Sequence, residues 1–207
     1  MKGLLLKDYY MAVRYCRAFL LISIVFLVAS LFGEGNTFML IYPIVFCGMM
    51  PVTLIGYEER SRWTLYSETF PYSRAQIVSC KYVFTAIVVV CLLLLTAIAQ
   101  GIRMTAAGTM EITGYINMIS VLFMIGFAGP AILLPFIFKY GVEKGRMGYY
   151  IIIGAACAIG AVLTMESPEA MYSISAKWLP VICILGGIII FAVSWRMSIQ
   201  FYENREL

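Results

Sequence analysis

Six stretches of this sequence run free of charged side chains for about the distance a helix needs to cross a bilayer, roughly 20 residues at 1.5 Å rise each. They are Ala18–Gly33, Gly35–Tyr57, Tyr82–Ile102, Ile112–Phe138, Met147–Met165 and Trp178–Trp195. A chain that is 62% hydrophobic and 13% charged, half the usual charged share, has no means of covering so much apolar surface in water. The bilayer is therefore the expected solvent. A spanning segment must satisfy its own backbone hydrogen bonds, and runs of this length do so as helices. The expected fold is all-α, with six transmembrane helices in one domain over residues 1–207.

Two spans carry irregularities. The first is short, and extends backwards through Tyr15 and Cys16 if Arg14 and Arg17 snorkel to the headgroups. The fourth is overlong and holds Gly126, Gly129, Pro130 and Pro135, so a kink or break near its cytoplasmic end is expected. Pro43 and Pro51 in the second span mark either a hinge or the ordinary proline content of membrane helices. Orientation follows from lysine and arginine. With the N-terminus inside, Lys2, Lys7, Arg14, Arg17, Arg60, Arg62, Arg74, Lys81, Lys139, Lys144, Arg146, Arg196 and Arg205 are cytoplasmic, and only Arg103 and Lys177 fall outside. Both termini are then cytoplasmic, in the plasma membrane of a bacterial cell.

The cytoplasmic segments have structure of their own. Over residues 1–17, Lys2, Lys7, Arg14 and Arg17 fall within roughly 140° of a helical wheel, opposite Leu4, Leu5 and Met11. That pattern suits an amphipathic helix lying along the inner membrane surface, or a plain positive-inside anchor. Between spans two and three, Trp63, Tyr66 and Phe70 share a helical face by their i, i+3, i+7 spacing, and Pro71 ends that helix. Ser73 and Gln76 form a capping box for the next helix, with Tyr72 and Ile77 placed as a hydrophobic staple. Outside, Ser167-Pro168-Glu169 is a helix-start signal before span six.

Much chemistry is excluded. With no histidine, the commonest general base and metal ligand are missing. No phosphate-binding GxxxxGK[ST] loop, GxSxG elbow or HExxH pair occurs, so no enzymatic activity is expected of this chain. The single aspartate, Asp8, and spans without charge argue against intramembrane proteolysis and ion-coupled pumping. No basic, aromatic-interleaved run suits nucleic acid. Cys16, Cys47, Cys80, Cys91, Cys157 and Cys183 include no CxxC pair and read as small packing residues. Gly154, Ala155 and Ala158 in span five, with Gly186 and Gly187 in span six, allow close helix approach. Gln100, Asn117 and Ser120 either line a path or bond across helices.

The N-terminal amphipathic helix, the six spans, and the run from Glu58-Glu59 through Trp63 to Phe70-Pro71-Tyr72-Ser73-Arg74 and on to Lys81-Tyr82 resemble the ABC-2 type transporter permeases. The likeness is to their small six-helix branch, which includes the membrane subunits of phenol-soluble modulin exporters. The resemblance implies a permease subunit of an ATP-driven exporter for amphipathic or hydrophobic peptides. It implies a second permease subunit, alike or unlike, and ABC ATPases on separate chains that bind the ATP and Mg. The loop would be the coupling helix, with Glu59, Arg60, Arg62, Trp63 and Tyr66 docking on the ATPase and Pro71 and Arg74 shaping the turn. The family often has Leu-Pro-Val where this chain has Phe70-Pro71-Tyr72, which leaves partner specificity open. Read without the resemblance, Trp63, Tyr66 and Phe70 suit an aromatic belt at the headgroups, while the paired opposite charges on the remaining face suit a protein partner better than anionic lipid. A membrane anchor or sensor subunit that moves no substrate is the alternative function.

Overall fold

The computed structural model describes residues 2–32, 37–63, 72–106, 108, 111–148, 150–151 and 178–204, and these are helical throughout apart from short turns. The helices are α1 (Lys2–Tyr15), α2 (Arg17–Phe32), α3 (Thr37–Gly48), α4 (Met50–Arg60), α5 (Arg74–Ala106), α6 (Ile112–Tyr140) and α7 (Leu179–Glu203), with further helical residues at 142–148. Among the described residues four helices are long and apolar enough to cross a membrane: Met39–Arg60, which joins α3 to α4, Arg74–Ala106, Ile112–Tyr140 and Leu179–Glu203. The pair α1 and α2, bent by 71°, passes the same test as a fifth. The expected fifth span and the outer helix at Ser167 fall largely or wholly outside the described residues, as do Gly154, Ala155, Ala158 and Cys157.

α6 and α7 pack along most of their length, with α3 and α5 against them and α2 against α3. The interior is built from Ile44, Val78, Tyr82, Val89, Leu134 and Ile137, all essentially inaccessible. Lipid is as apolar as leucine, so burial alone supplies little drive between membrane helices and close packing must supply it. Glycines set the closest approaches. A Cβ on Gly126 would meet Ile44 at 2.8 Å and Val89 at 3.0 Å, and one on Gly145 would meet the backbone of Ile137 at 2.9 Å. Gly187 is pressed on Phe123, whereas its neighbour Gly186 faces open space and takes no part in packing. Cys16, Cys47, Cys80 and Cys183 are buried free thiols, in line with a packing role, while Cys91 lies on an exposed face of α5.

Of the kink or break expected in the fourth span, the break is absent: α6 is continuous through Pro130 and Pro135. Proline at position 135 takes the amide hydrogen from the Ala131 carbonyl, which would be orphaned in hydrocarbon. Ser194 of α7 donates its Oγ proton to that carbonyl at 2.6 Å. Having one proton, Ser194 must accept from Tyr82 at 2.7 Å, and Tyr82 in turn accepts from Ser198 at 2.7 Å. The chain Ser198→Tyr82→Ser194→Ala131 thus bridges α5, α6 and α7 and replaces the bond that the proline removed. Trp195 stacks on Tyr82 at 5.7 Å and donates its indole N–H to Ser79. In the second span the helix does break, at Met49 between α3 and α4, with Pro51 in the first turn of α4.

The bundle has two distinct ends. At one, the C-terminus of α4, the start of α5, the C-termini of α6 and α7, and the whole of α1 are tied together. At the other, Gln100 donates to Ser30, Arg103 donates to the Ser30 carbonyl, and Tyr115 donates to the Ala97 carbonyl. Among the described residues Arg103 is the sole lysine or arginine at that far end. Gln100 bonds across helices, as one of the two sequence readings has it, whereas Ser120 donates to the Asn117 carbonyl of its own helix, and the buried Oδ1 of Asn117 has no partner among the described residues.

Candidate functional site

At the basic end, α1 does not lie apart on the surface. It packs on α4 and α5 through Leu4, Asp8 and Ala12, one stripe at i, i+4, i+8. The stripe has a carboxylate at its centre. Asp8 is 1% exposed, and its Oδ1 accepts from the ammonium of Lys81 at 2.7 Å. Lys81, 2% exposed, also donates to Glu58 Oε1 at 2.7 Å, and Glu58 accepts from Lys7. Cys80 points its thiol at the second Asp8 oxygen at 3.6 Å. Two cations and two carboxylates therefore balance in a pocket nearly closed to solvent. Removing charges from water costs several kcal/mol per ion, and only this mutual pairing offsets it.

By sequence Lys81 lies in the helix that the Ser73–Gln76 cap starts, just before the expected third span and among the cytoplasmic cations. The helix begins at Arg74, and the structure adds that Lys81, two turns inside α5, is buried. Asp8 and Glu58 are equally absent from the sequence-based candidates. The signal for Asp8 is its place on the apolar stripe of an amphipathic helix, where a carboxylate has no reason to sit without a buried cation.

The segment expected to dock a partner starts differently from the sequence reading. The second span continues beyond Tyr57 to Arg60, and Ser61 caps the helix. Arg62 then takes φ of 54°, the left-handed position that glycine usually fills after a helix. This turn separates α4 from Trp63. Trp63 is half-buried, with the Lys7 ammonium 4.4 Å from its ring centroid. α1 thus covers one side of the tryptophan through the same lysine that holds Glu58.

The remaining candidates separate. Glu59 turns inward and accepts the Val142 amide proton at 3.1 Å, so it ties α4 to the start of the helical stretch 142–148. Arg60 lines a cavity between those two elements. Arg74 reaches across to the Tyr202 and Glu203 carbonyls at 3.5 and 3.3 Å and closes the C-terminus of α7. Tyr66 and Pro71 lie outside the described residues. The Ser73–Gln76 capping box is formed reciprocally, at 3.2 and 3.3 Å. It starts α5 where the sequence indicates.

No curated protein and no solved structure matches this chain. A family model described as ABC-2 family transporter protein matches residues 3–203. That match runs from α1, with its buried Asp8, to the last turn of α7, where Arg74 binds. An all-helical, multi-pass membrane chain matched over this whole length belongs to the ABC-2 transporter family, the membrane subunits of transporters driven by ABC ATPases.

Proposed function

We propose that this protein is the permease subunit of an exporter in the bacterial cytoplasmic membrane, with its basic end and both termini in the cytoplasm. Two permease subunits, alike or unlike, form the path, and ATPases on separate chains bind ATP and Mg and dock on the segment that leaves α4 at Arg62 and Trp63. The observation that carries the reading is the buried Lys7–Asp8–Glu58–Lys81 cluster. It joins the base of that segment to α5, whose 33 residues extend about 50 Å through the bundle. A displacement at Trp63 is then passed along α5 instead of being absorbed in a loop. Amphipathic or hydrophobic peptides fit as cargo, since the polar groups inside the bundle are mostly engaged with one another and leave no charged midplane site among the described residues.

Purification from native membranes tests the reading. An ABC ATPase should come with the chain, the chain alone should hydrolyse no ATP, and an added amphipathic peptide should stimulate the complex. Hydrolysis by the isolated chain would overturn the division of labour. An ATPase partner insensitive to every peptide, with no peptide moved into vesicles, would instead favour the anchor or sensor subunit.

A further inference from the structure

We propose that the cavity between α4 and residues 140–146 is a headgroup site for an anionic phospholipid of the leaflet at the basic end. The cavity measures about 690 Å³, which admits a phosphoglycerol headgroup with its glycerol backbone. One wall is a single face of α4, Thr53, Gly56, Tyr57 and Arg60 at i, i+3, i+4, i+7, and the other carries Lys144 and Arg146. Arg60, Lys144 and Arg146 make no ion pair among the described residues. The opposing carboxylates are Glu59, turned to the Val142 amide, and the exposed Glu143. Three cations against two carboxylates leave an excess of one positive charge, matching a phosphodiester monoanion.

The neighbouring surface decides for a lipid over an acidic protein segment. Lys144 and Met147 stand at i, i+3 on the helical stretch 142–148, and Met147 and the nearby Ile151 are 70% and 71% exposed. A cation at the headgroup level followed by open apolar side chains is complementary to an amphiphile with an anionic head. A soluble acidic peptide would leave those side chains bare. Basic pockets between spanning helices recognise anionic lipids in this way, each lysine or arginine favouring the anionic lipid about five-fold.

The test uses the full chain purified in detergent without an ATPase, and reads thermal stability as phosphatidylglycerol or phosphatidylcholine is added. Phosphatidylglycerol should stabilise the protein at the lower concentration. Arg60→Gln with Arg146→Gln should raise its half-saturating concentration about 25-fold. Lys144→Gln, a milder variant, should raise it about five-fold. Lys2→Gln with Arg196→Gln removes the same charge from the same end outside the cavity and should leave it unchanged. An equal loss in that control pair would reduce the effect to general surface attraction and overturn the site. Equal stabilisation by soluble glycerol phosphate would assign the cavity to a free phosphate ester and overturn the lipid. Unchanged lipid response in the cavity variants, with loss of ATPase co-purification, would make the cavity a protein contact and overturn the proposal while leaving the transport function intact.

Discussion

The Lys81 ammonium stands 2.7 Å from Asp8 Oδ1, across 73 residues of sequence, and that contact fastens the N-terminal helix to the longest helix of the bundle. Losing either partner alone strands a buried charge, which typically costs about 3–5 kcal/mol, whereas losing both restores neutrality. Lys81→Met should therefore destabilise the detergent-purified chain severely. Asp8→Asn with Lys81→Met should recover much of the loss. Thermal unfolding of the two single variants and the double variant measures the coupling, and simple additivity would deny the pair its balancing role.

Ser194 and Pro135 make a second coupled pair. Ser194→Ala leaves the Ala131 carbonyl without a donor and should cost about 1–2 kcal/mol. In a Pro135→Ala background residue 135 regains its amide hydrogen, the helix supplies the donor, and the same serine change should cost clearly less. Equal costs in both backgrounds would show that the hydroxyl is not serving the proline gap.

Glycine positions are predicted to differ sharply. Gly145→Ala meets the Ile137 backbone, and Gly126→Ala meets Ile44 and Val89 below 3.1 Å, so each should destabilise by about 1–3 kcal/mol. Gly186→Ala enters open space and should be neutral or slightly stabilising. Melting temperatures of the three variants in one detergent provide the comparison.

For the docking segment, Trp63→Ala should weaken ATPase association more than ten-fold, a cost of about 2 kcal/mol as expected of an interface tryptophan. Glu59→Gln should leave association intact, because its oxygen already serves the Val142 amide and an amide oxygen can do the same. Arg62→Gly relieves a left-handed residue and should preserve or raise stability while removing the whole side chain, charge included. Ile112→Ala at the far end is the control. Undiminished association of the Trp63 variant would favour the aromatic belt.

Orientation is open to labelling. In a Cys91→Ser background, which removes the one exposed thiol among the described residues, a cysteine at Thr109 should react with an impermeant maleimide in intact cells and one at Ser67 should not. The reverse pattern would invert the topology.

By itself the sequence determined what depends on local pattern. Long uncharged runs dictate helices in lipid, so the positions of α2 to α7 follow the apolar stretches, and the Ser73–Gln76 cap is legible because a capping box needs only neighbours three residues apart. The clustering of lysine and arginine at one end was legible for the same reason. Only the tertiary structure decided where those charges point. Lys81 and Glu58 read as plain cytoplasmic charges until α1 folds over them and adds Asp8, 73 and 50 residues away, to their cluster. Glu59 and Arg74 resemble surface contacts, yet one holds the 142 amide and the other the end of α7. Pro135 reads as a place for a kink or a break, because no local pattern reveals that a serine from α7, 59 residues on, will serve the carbonyl it orphans. A side chain's chemistry is written locally, but its partner is supplied by whichever helix packs beside it.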